Sequence, residues 1–228
     1  MTDWKICISI LSNDTQEAIK KIKMAEKVAD LLEIRLDSMS SFMLDSIIGQ
    51  MKLPILITYR DPEEGGFRKE IKDTERVRVL KEAIELGAEY VDIELEMPEQ
   101  LREQILKKKG NTEIIISKHF FEPVPEKLLF EYAEKIFESG ADIAKLIGYA
   151  ETWKDNLIFL RLVEEFNKKG HKLISFAMGP YGGPSRIMSP ILGAPWTYAA
   201  LTKGEKAAPG QIEASSLRQI WKEISRED

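Results

Sequence analysis

The chain contains a single cysteine and no long apolar run. One cysteine, Cys7, excludes an internal disulfide and a cluster of thiolate metal ligands, and we expect it in the core of the first strand. No apolar run approaches the ~18 residues that a membrane-spanning helix needs. The first residues, MTDWK, show no charged segment followed by an apolar one, the pattern of a secretion signal. We therefore expect a cytoplasmic protein without a membrane partner.

An excess of positive charge is also lacking. The chain has 33 Lys and Arg residues against 38 Asp and Glu residues, which gives a net charge of −5. Because no basic stripe alternates with aromatic side chains, we expect no nucleic-acid partner. No linker separates two halves, so residues 1–228 are predicted to form one domain. With 43% hydrophobic and 31% charged residues, that domain can bury a sizeable core.

Short β-rich runs alternate with longer amphipathic segments, which predicts a parallel sheet with helical crossovers. The predicted strands are Lys5–Ile10, Leu31–Leu36, Ile55–Arg60, Tyr90–Glu96, Glu113–His119, Ile143–Tyr149, Lys172–Met178 and Thr197–Leu201. Predicted helices include Thr74–Leu86, Glu126–Glu138 and Ala214–Ile224. Eight strand–helix units in 228 residues fit an α/β fold of the closed (β/α)8 TIM-barrel type better than an open sheet. The seventh crossover, over 186–195, is rich in Gly and Pro, and we expect a short or irregular helix there.

A lysine interrupts the sixth predicted strand. Lys145 stands in the run IAKLI at 143–147, where the other side chains are apolar. We interpret it as a buried, unpaired amine. Burial disfavours an ammonium, and a neutral lysine amine attacks ketones to form an imine. Lys145 is therefore a candidate nucleophile.

Polar and apolar side chains alternate at the ends of the second and third predicted strands. Glu33, Arg35 and Asp37 share one face of their strand, and Thr58 and Arg60 share one face of the next. In a barrel, one of the two faces points into the interior, and functional side chains gather at the carboxyl ends of the strands. We predict a site there, in which Arg60 could bind an oxyanion. The alternatives are an exposed edge for the second strand and a structural ion pair for Arg60.

The two histidines lie at opposite ends of their predicted strands. His119 closes the fifth strand, whereas His171 precedes the seventh. An imidazole at the same barrel rim as Lys145 can transfer protons near neutral pH. We therefore predict a catalytic role for His119 and a structural role for His171.

Two loops follow the last two strands at this end of the barrel. Residues 178–186 bend at glycines and carry Arg186, and residues 207–211 end in Gln211. The glycines suit a turn, because no P-loop Lys-Ser/Thr ending follows them. The second loop suits a lid that excludes water. An amine, an imidazole and arginines together predict imine chemistry on an anionic carbonyl compound, with no metal or cofactor, and leave elimination and carbon–carbon cleavage open.

Several short motifs together resemble one family, the type I 3-dehydroquinate dehydratases, which are Schiff-base enzymes of the shikimate pathway. The motifs are EIRLD at 33–37, Arg60 with EEGG at 63–66, SKH at 117–119, DIAK at 142–145, MG to SR at 178–186, and APGQ at 208–211. They run in this order through nearly the whole chain. The resemblance also implies a homodimer.

The resemblance implies dehydration of 3-dehydroquinate to 3-dehydroshikimate by a syn elimination through an enamine. Lys145 would form an imine with the ring ketone, and His119 would remove a proton and then protonate the departing hydroxyl. Glu64 would orient His119, and Arg186 would bind the substrate carboxylate. The other substrate contacts would come from Glu33, Arg35, Arg60 and Gln211.

Two positions depart from the family's pattern. Phe120 follows His119 where the family commonly has Asp, and Ala207 stands in the lid where the family usually has a serine that touches the substrate. Loss of that hydroxyl would weaken substrate binding by about 0.5–1.5 kcal/mol. Two other functions stay open: an imine barrel like the class I aldolases, and a ligand-binding barrel without turnover.

Overall fold

The computed structural model describes residues 4–68, 70–202, 204 and 207–225. Its strands are β1 (Ile6–Ile10), β2 (Leu31–Arg35), β3 (Ile55–Thr58), β4 (Tyr90–Glu94), β5 (Glu113–His119), β6 (Ile143–Tyr149), β7 (Lys172–Met178) and β8 (Thr197–Ala199). Its α-helices are α1 (Thr15–Ala25), α2 (Leu44–Ile48), α3 (Asp73–Glu85), α4 (Glu99–Lys108), α5 (Glu126–Glu138), α6 (Asn156–Lys168), α7 (Gly183–Met188) and α8 (Ala214–Ser225). Each strand is followed by a helix.

The strands form one parallel sheet in the order β7-β6-β5-β4-β3-β2-β1-β8. In the part of the chain that the structure describes, β7 and β8 share no ladder of hydrogen bonds, and the rings of Phe176 and Tyr198 span this gap with their centroids 6.0 Å apart. The sheet is therefore a nearly closed barrel. This architecture confirms the predicted (β/α)8 fold.

The two faces of each strand carry different side chains. In β2, Leu32 and Ile34 pack outward in the apolar layer beneath the helices, whereas Glu33 and Arg35 line the barrel interior. Since β2 pairs with both β1 and β3, it is not an edge strand. The predicted inward face is correct, and the alternative of an exposed edge is wrong.

The longer helices α1, α5, α6 and α8 pack against the barrel through buried residues on one side, most of them apolar. In α5, for example, Leu129, Ala133 and Ile136 are buried, and their spacing of four and three residues places them on one side of the helix. No helix within the described ranges is both long and apolar enough to cross a membrane.

Several boundaries differ from those expected from the sequence. Strand β3 ends at Thr58, so Arg60 follows the strand instead of lying in it. Helix α7 begins at Gly183, so Arg186 lies on a helix and not in the loop we expected. A 3-10 helix at Pro190–Leu192 completes this crossover, which is short and irregular as predicted.

Candidate active site

A cavity of about 290 Å3 opens at the carboxyl ends of the strands. Its lining includes all the predicted site residues, which are Glu33, Arg35, Arg60, Glu64, His119, Lys145, Arg186 and Gln211. They come from β2, β5 and β6 and from the segments that follow β3, β7 and β8, because the carboxyl ends of parallel barrel strands meet at one rim.

Lys145 is buried in the cavity floor with two carboxylates beside it. Its Nζ lies 2.9 Å from Oδ2 of Asp92 and 3.5 Å from Oε1 of Glu33. The ammonium also stands 4.5 Å from the ring centroid of Tyr198. The expectation of an unpaired lysine is therefore wrong, because β4 supplies an anion that the run around Lys145 does not reveal.

Asp92 is the anion closest to Lys145. It accepts hydrogen bonds from Lys145, Arg60 and Ser117. Burial alone would raise the pKa of Asp92, but Arg60 and Lys145 outweigh burial and hold it well below its usual range. Asp92 is thus a permanent carboxylate beneath the candidate nucleophile.

Glu33 is held by two hydroxyl groups. Ser9 of β1 donates to one of its carboxylate oxygens, and Thr58 of β3 donates to the other at 2.9 Å. Burial opposes its charge, yet Lys145 and Arg35 lower the pKa of Glu33. A fixed carboxylate of this kind can accept further hydrogen bonds from the hydroxyls of a ligand.

His119 and Glu64 form a hydrogen-bonded pair at the rim. Nδ1 of His119 lies 3.0 Å from Oε2 of Glu64, which also accepts from the His119 backbone N–H at 3.1 Å. Glu64 ends a short 3-10 helix, and Gly65 next to it has a φ of 86°, a conformation that favours glycine. This turn places the carboxylate behind the imidazole.

The charge state of His119 follows from its surroundings. Burial, Arg60 and Lys145 lower the pKa of His119 well below that of a free imidazole. The ring is therefore neutral near pH 7. With Glu64 as an acceptor, the ring proton belongs on Nδ1, which leaves Nε2 free to act as a base.

Two of the cavity's arginines are bound to protein carboxylates. Arg35 makes a two-point ion pair with Asp37, with N–O distances of 2.9 and 2.8 Å. Arg60 donates to Asp92 at 2.7 Å and to Glu94 at 2.9 Å. The Arg60 contacts favour the structural ion pair that the sequence left as an alternative to oxyanion binding.

Arg186 differs from the other two, because no carboxylate contacts it in the described ranges. Its guanidinium stacks 4.4 Å from the ring centroid of Phe176 and donates to the backbone oxygen of Pro209 at 3.2 Å. Its Nε has no partner among the described residues. Burial lowers the pKa of Arg186 to about 9, so the side chain remains a cation at neutral pH. The site therefore contains a buried cation that an anionic ligand would compensate.

The lid after β8, residues 207–211, packs against the loop after β7. A Cβ on Gly210 would lie 2.3 Å from the backbone oxygen of Gly179, so only glycine permits this approach. Within the lid, Oε1 of Gln211 accepts from the Ala207 backbone N–H at 2.8 Å. Gln211 thereby shapes the lid as well as lining the cavity.

Residues 6–228 match the family model for type I 3-dehydroquinase. The chain is 35% identical over 222 residues to the 3-dehydroquinate dehydratase of Methanocaldococcus jannaschii, covering 95% of this chain and 97% of that protein. The chain belongs to the type I 3-dehydroquinase family. This membership confirms the prediction of a hydro-lyase.

Solved structures of the family agree with the barrel. The 3-dehydroquinate dehydratase of Geobacillus kaustophilus superposes with a TM-score of 0.89 at 24% identity, over 98% of this chain and 92% of that one. The type I 3-dehydroquinate dehydratase of Clostridium difficile, solved with covalent modified comenic acid, superposes with a TM-score of 0.85 at 25% identity, over 98% of this chain and 93% of that one.

The two departures from the 3-dehydroquinase pattern lie at different depths. Phe120 turns away from the cavity and packs edge-on against Tyr132, with ring centroids 5.2 Å apart. Ala207 lines the cavity directly. Of the two, Ala207 is therefore the departure that a ligand would contact.

Three buried charged residues beneath the site were not predicted from the sequence. Asp92 and Glu94 of β4 contact Arg60, and Arg76 of α3 contacts Glu94 from behind. A signal existed for the first two, because β4 reads YVDIE and alternates as β2 does. For Arg76, among buried apolar residues of α3, no local pattern indicates its partner.

His171 lies at the opposite end of the barrel and stacks on Phe137, with ring centroids 4.3 Å apart.

Proposed function

We propose that this 3-dehydroquinase family member converts 3-dehydroquinate to 3-dehydroshikimate in the shikimate pathway, through an imine on Lys145. The observation that carries this proposal is the placement of Lys145 and His119 on adjacent strands, facing one cavity. Ser117 pairs with Lys145 across β5 and β6, and His119 lies two residues further along the same face. An imine carbon above Lys145 would thus have a base beside it.

Lys145 acts as the nucleophile toward the ring ketone after its ammonium has passed one proton to the neutral His119 on the adjacent strand, and that proton returns to the hydroxyl of the adduct, which leaves as water. Loss of water from the first adduct gives a protonated imine, which withdraws electrons and acidifies the neighbouring carbon. The protonated imine keeps a positive charge at the position of the ammonium. Asp92 and Glu33 stabilise that charge, because both are held as carboxylates next to it.

His119 acts first as a base and then as an acid. Because its pKa is lowered, the His119 ring is neutral near pH 7. Its Nε2 removes the proton from the carbon next to the imine carbon. The imidazolium that results is stabilised by Glu64 at Nδ1. It then protonates the departing hydroxyl on the same face of the ring, and hydrolysis of the product imine frees Lys145.

Arg186 binds the substrate carboxylate in this scheme. A buried cation without an acidic partner in the described ranges is costly until an anion binds, so a carboxylate ligand is stabilised by filling the site. Glu33 and Gln211 provide acceptors for ring hydroxyls. Arg35 and Arg60, which are bound to Asp37, Asp92 and Glu94, supply the positive field around the site and line its wall.

Borohydride reduction in the presence of 3-dehydroquinate tests the imine. We expect an irreversible loss of activity and a mass increase on the peptide that contains Lys145. Peptides with Lys172, a strand-borne lysine at the other end of the barrel, should remain unmodified. Turnover of 3-dehydroquinate without a trappable adduct would refute the imine mechanism, and an adduct without turnover would refute the dehydratase.

A homodimer and a cytoplasmic location remain predictions. Light scattering on purified protein distinguishes a monomer of 26.1 kDa from a dimer of twice that mass.

A further inference from the structure

Lys118 contacts the same carboxylate that holds His119. Its Nζ lies 3.1 Å from Oε1 of Glu64, while Oε2 of Glu64 faces His119. Lys118 and His119 are consecutive in β5, so their side chains leave the strand on opposite faces. Glu64 reaches over the end of the strand to both, and Lys118 is not among the described residues that line the cavity.

We propose that Lys118 is a positioning residue that acts through Glu64: it fixes Oε1 so that Oε2 faces His119, and its charge keeps the Glu64–His119 pair in the deprotonated form that serves as base. The proposal rests on the proposed role of His119 in dehydration. No substrate contact is assigned to Lys118.

The charges around the pair support this role. Burial raises the pKa of Glu64, and Arg60 and Lys118 oppose the rise while Asp92 adds to it. Arg60 already donates to Asp92 and Glu94, whereas Lys118 donates directly to Glu64. Lys118 is therefore well placed to keep Glu64 ionised.

The other neighbours of Lys118 and His119 complete the field. Glu96 lies 3.7 Å from the Lys118 Nζ and half its side chain is exposed, and the Tyr132 hydroxyl adds a weaker interaction. His119 is also influenced by Lys145, Asp92 and Arg35. None of these groups bridges the cation to the imidazole as Glu64 does.

Removal of the Lys118 charge should shift the titration of Glu64 and His119 in one direction. A cation next to two coupled acids favours their deprotonated forms, so its loss raises both apparent pKa values of the pair. A merely structural tie between β5 and the loop before α3 would change stability without moving the titration of His119.

Nuclear magnetic resonance of the two histidine rings gives a direct test in the full chain. With only His119 and His171 present, two Cε1–H signals can be assigned by substitution. We expect K118M to raise the titration midpoint of His119 by about 1 pH unit, on the scale expected for a nearby charge. His171, which stacks on Phe137 at the far end, should not shift.

Kinetics provide a second readout. In K118M the acid limb of the kcat profile should move upward with His119, while KM and imine trapping at Lys145 stay unchanged. K118R, which retains the charge, should restore both the titration and the profile. The matched control is K107M, which breaks an exposed Lys107–Glu103 pair on α4 and should change neither.

A folded K118M protein whose His119 titration and kcat profile equal those of the wild type would overturn the proposal. If K118M fails to fold, K118Q carries the same expectation. This outcome is distinguishable from failure of the proposed function, because the resonance titration needs no turnover. A wild-type protein that is inactive on 3-dehydroquinate would refute the dehydratase. A raised titration midpoint of His119 in K118M would still support the action of Lys118 on the Glu64–His119 pair.

Discussion

The ammonium of Lys145 on β6 lies 2.9 Å from Oδ2 of Asp92 on β4, in front of the intervening strand β5, and both side chains are almost fully buried. Asp92 also accepts a hydrogen bond from Arg60, so one carboxylate compensates two buried cations. Residues 53 positions apart thus form one unit. Its integrity decides both the charge beneath the proposed imine and the stability of the barrel interior.

Substitution of Asp92 by Asn should destabilise the protein strongly. Asn keeps the shape but leaves Lys145 and Arg60 without their shared anion, and removing one partner of a buried ion pair costs about 3–5 kcal/mol. Denaturant unfolding would measure this loss. The control E103Q removes an exposed carboxylate from an ion pair on α4 and should leave the unfolding midpoint unchanged. Equal midpoints for D92N and wild type would contradict the importance of this pair.

Substitution of His119 by Ala should separate imine formation from dehydration. Lys145 and its carboxylates remain, so borohydride should still trap the substrate. Loss of an acid–base group lowers the rate by about two to four powers of ten. Turnover assays and adduct mass spectrometry on one preparation would show the split. Unchanged turnover would assign the base to another residue.

The pH dependence should place the acid limb of kcat/KM below the ordinary imidazole value of about 6.5. The native pKa of His119 is lowered, so the neutral base persists as pH falls through that value and is lost only as pH falls through the native pKa. E64Q removes the anion that favours the imidazolium, so its acid limb should lie lower still and kcat should fall. An upward shift in E64Q would contradict the proposed pairing.

The alternation of polar residues in β2 was enough to predict which face of that strand lines the cavity, since strand side chains alternate by geometry alone. The same rule applied to β4 would have found Asp92 and Glu94. What the sequence could not provide is the partner of each charge. Arg76 contacts Glu94 from helix α3, and Glu64 is brought to Lys118 by the segment after β3. Both contacts therefore depend on tertiary structure.

Two fully buried arginines should respond to substitution with opposite signs. Arg76 contacts Asp61, Asp73 and Glu94. R76M removes the cation from Asp61 and Asp73 and leaves Glu94 with Arg60 alone, so it should cost about 3–5 kcal/mol of unfolding free energy. Arg186 stacks on Phe176 and meets no carboxylate in the described ranges, so R186M replaces an uncompensated cation with an apolar chain. We expect R186M to increase the free energy of unfolding by about 1–2 kcal/mol.

The gain in R186M should be accompanied by a loss of substrate affinity. Charge-assisted hydrogen bonds to a carboxylate contribute about 1.5–3 kcal/mol, so KM should rise about 10- to 150-fold. Unfolding curves and steady-state kinetics on the same protein would test both effects. A destabilised R186M with an unchanged KM would contradict the assignment of Arg186 to the substrate carboxylate.

Ala207 should be a position where one atom improves binding. It lines the cavity in the lid, and its backbone N–H is already fixed by Gln211, so a serine there would place a hydroxyl on a preformed segment. A new hydrogen bond contributes about 0.5–1.5 kcal/mol, so KM of A207S should fall about 2- to 10-fold with kcat little changed. The control A208S changes the adjacent residue of the same lid, which also lines the cavity. If both variants lower KM equally, the effect belongs to lid polarity in general, and if neither does, the missing serine is not what limits substrate binding in this chain.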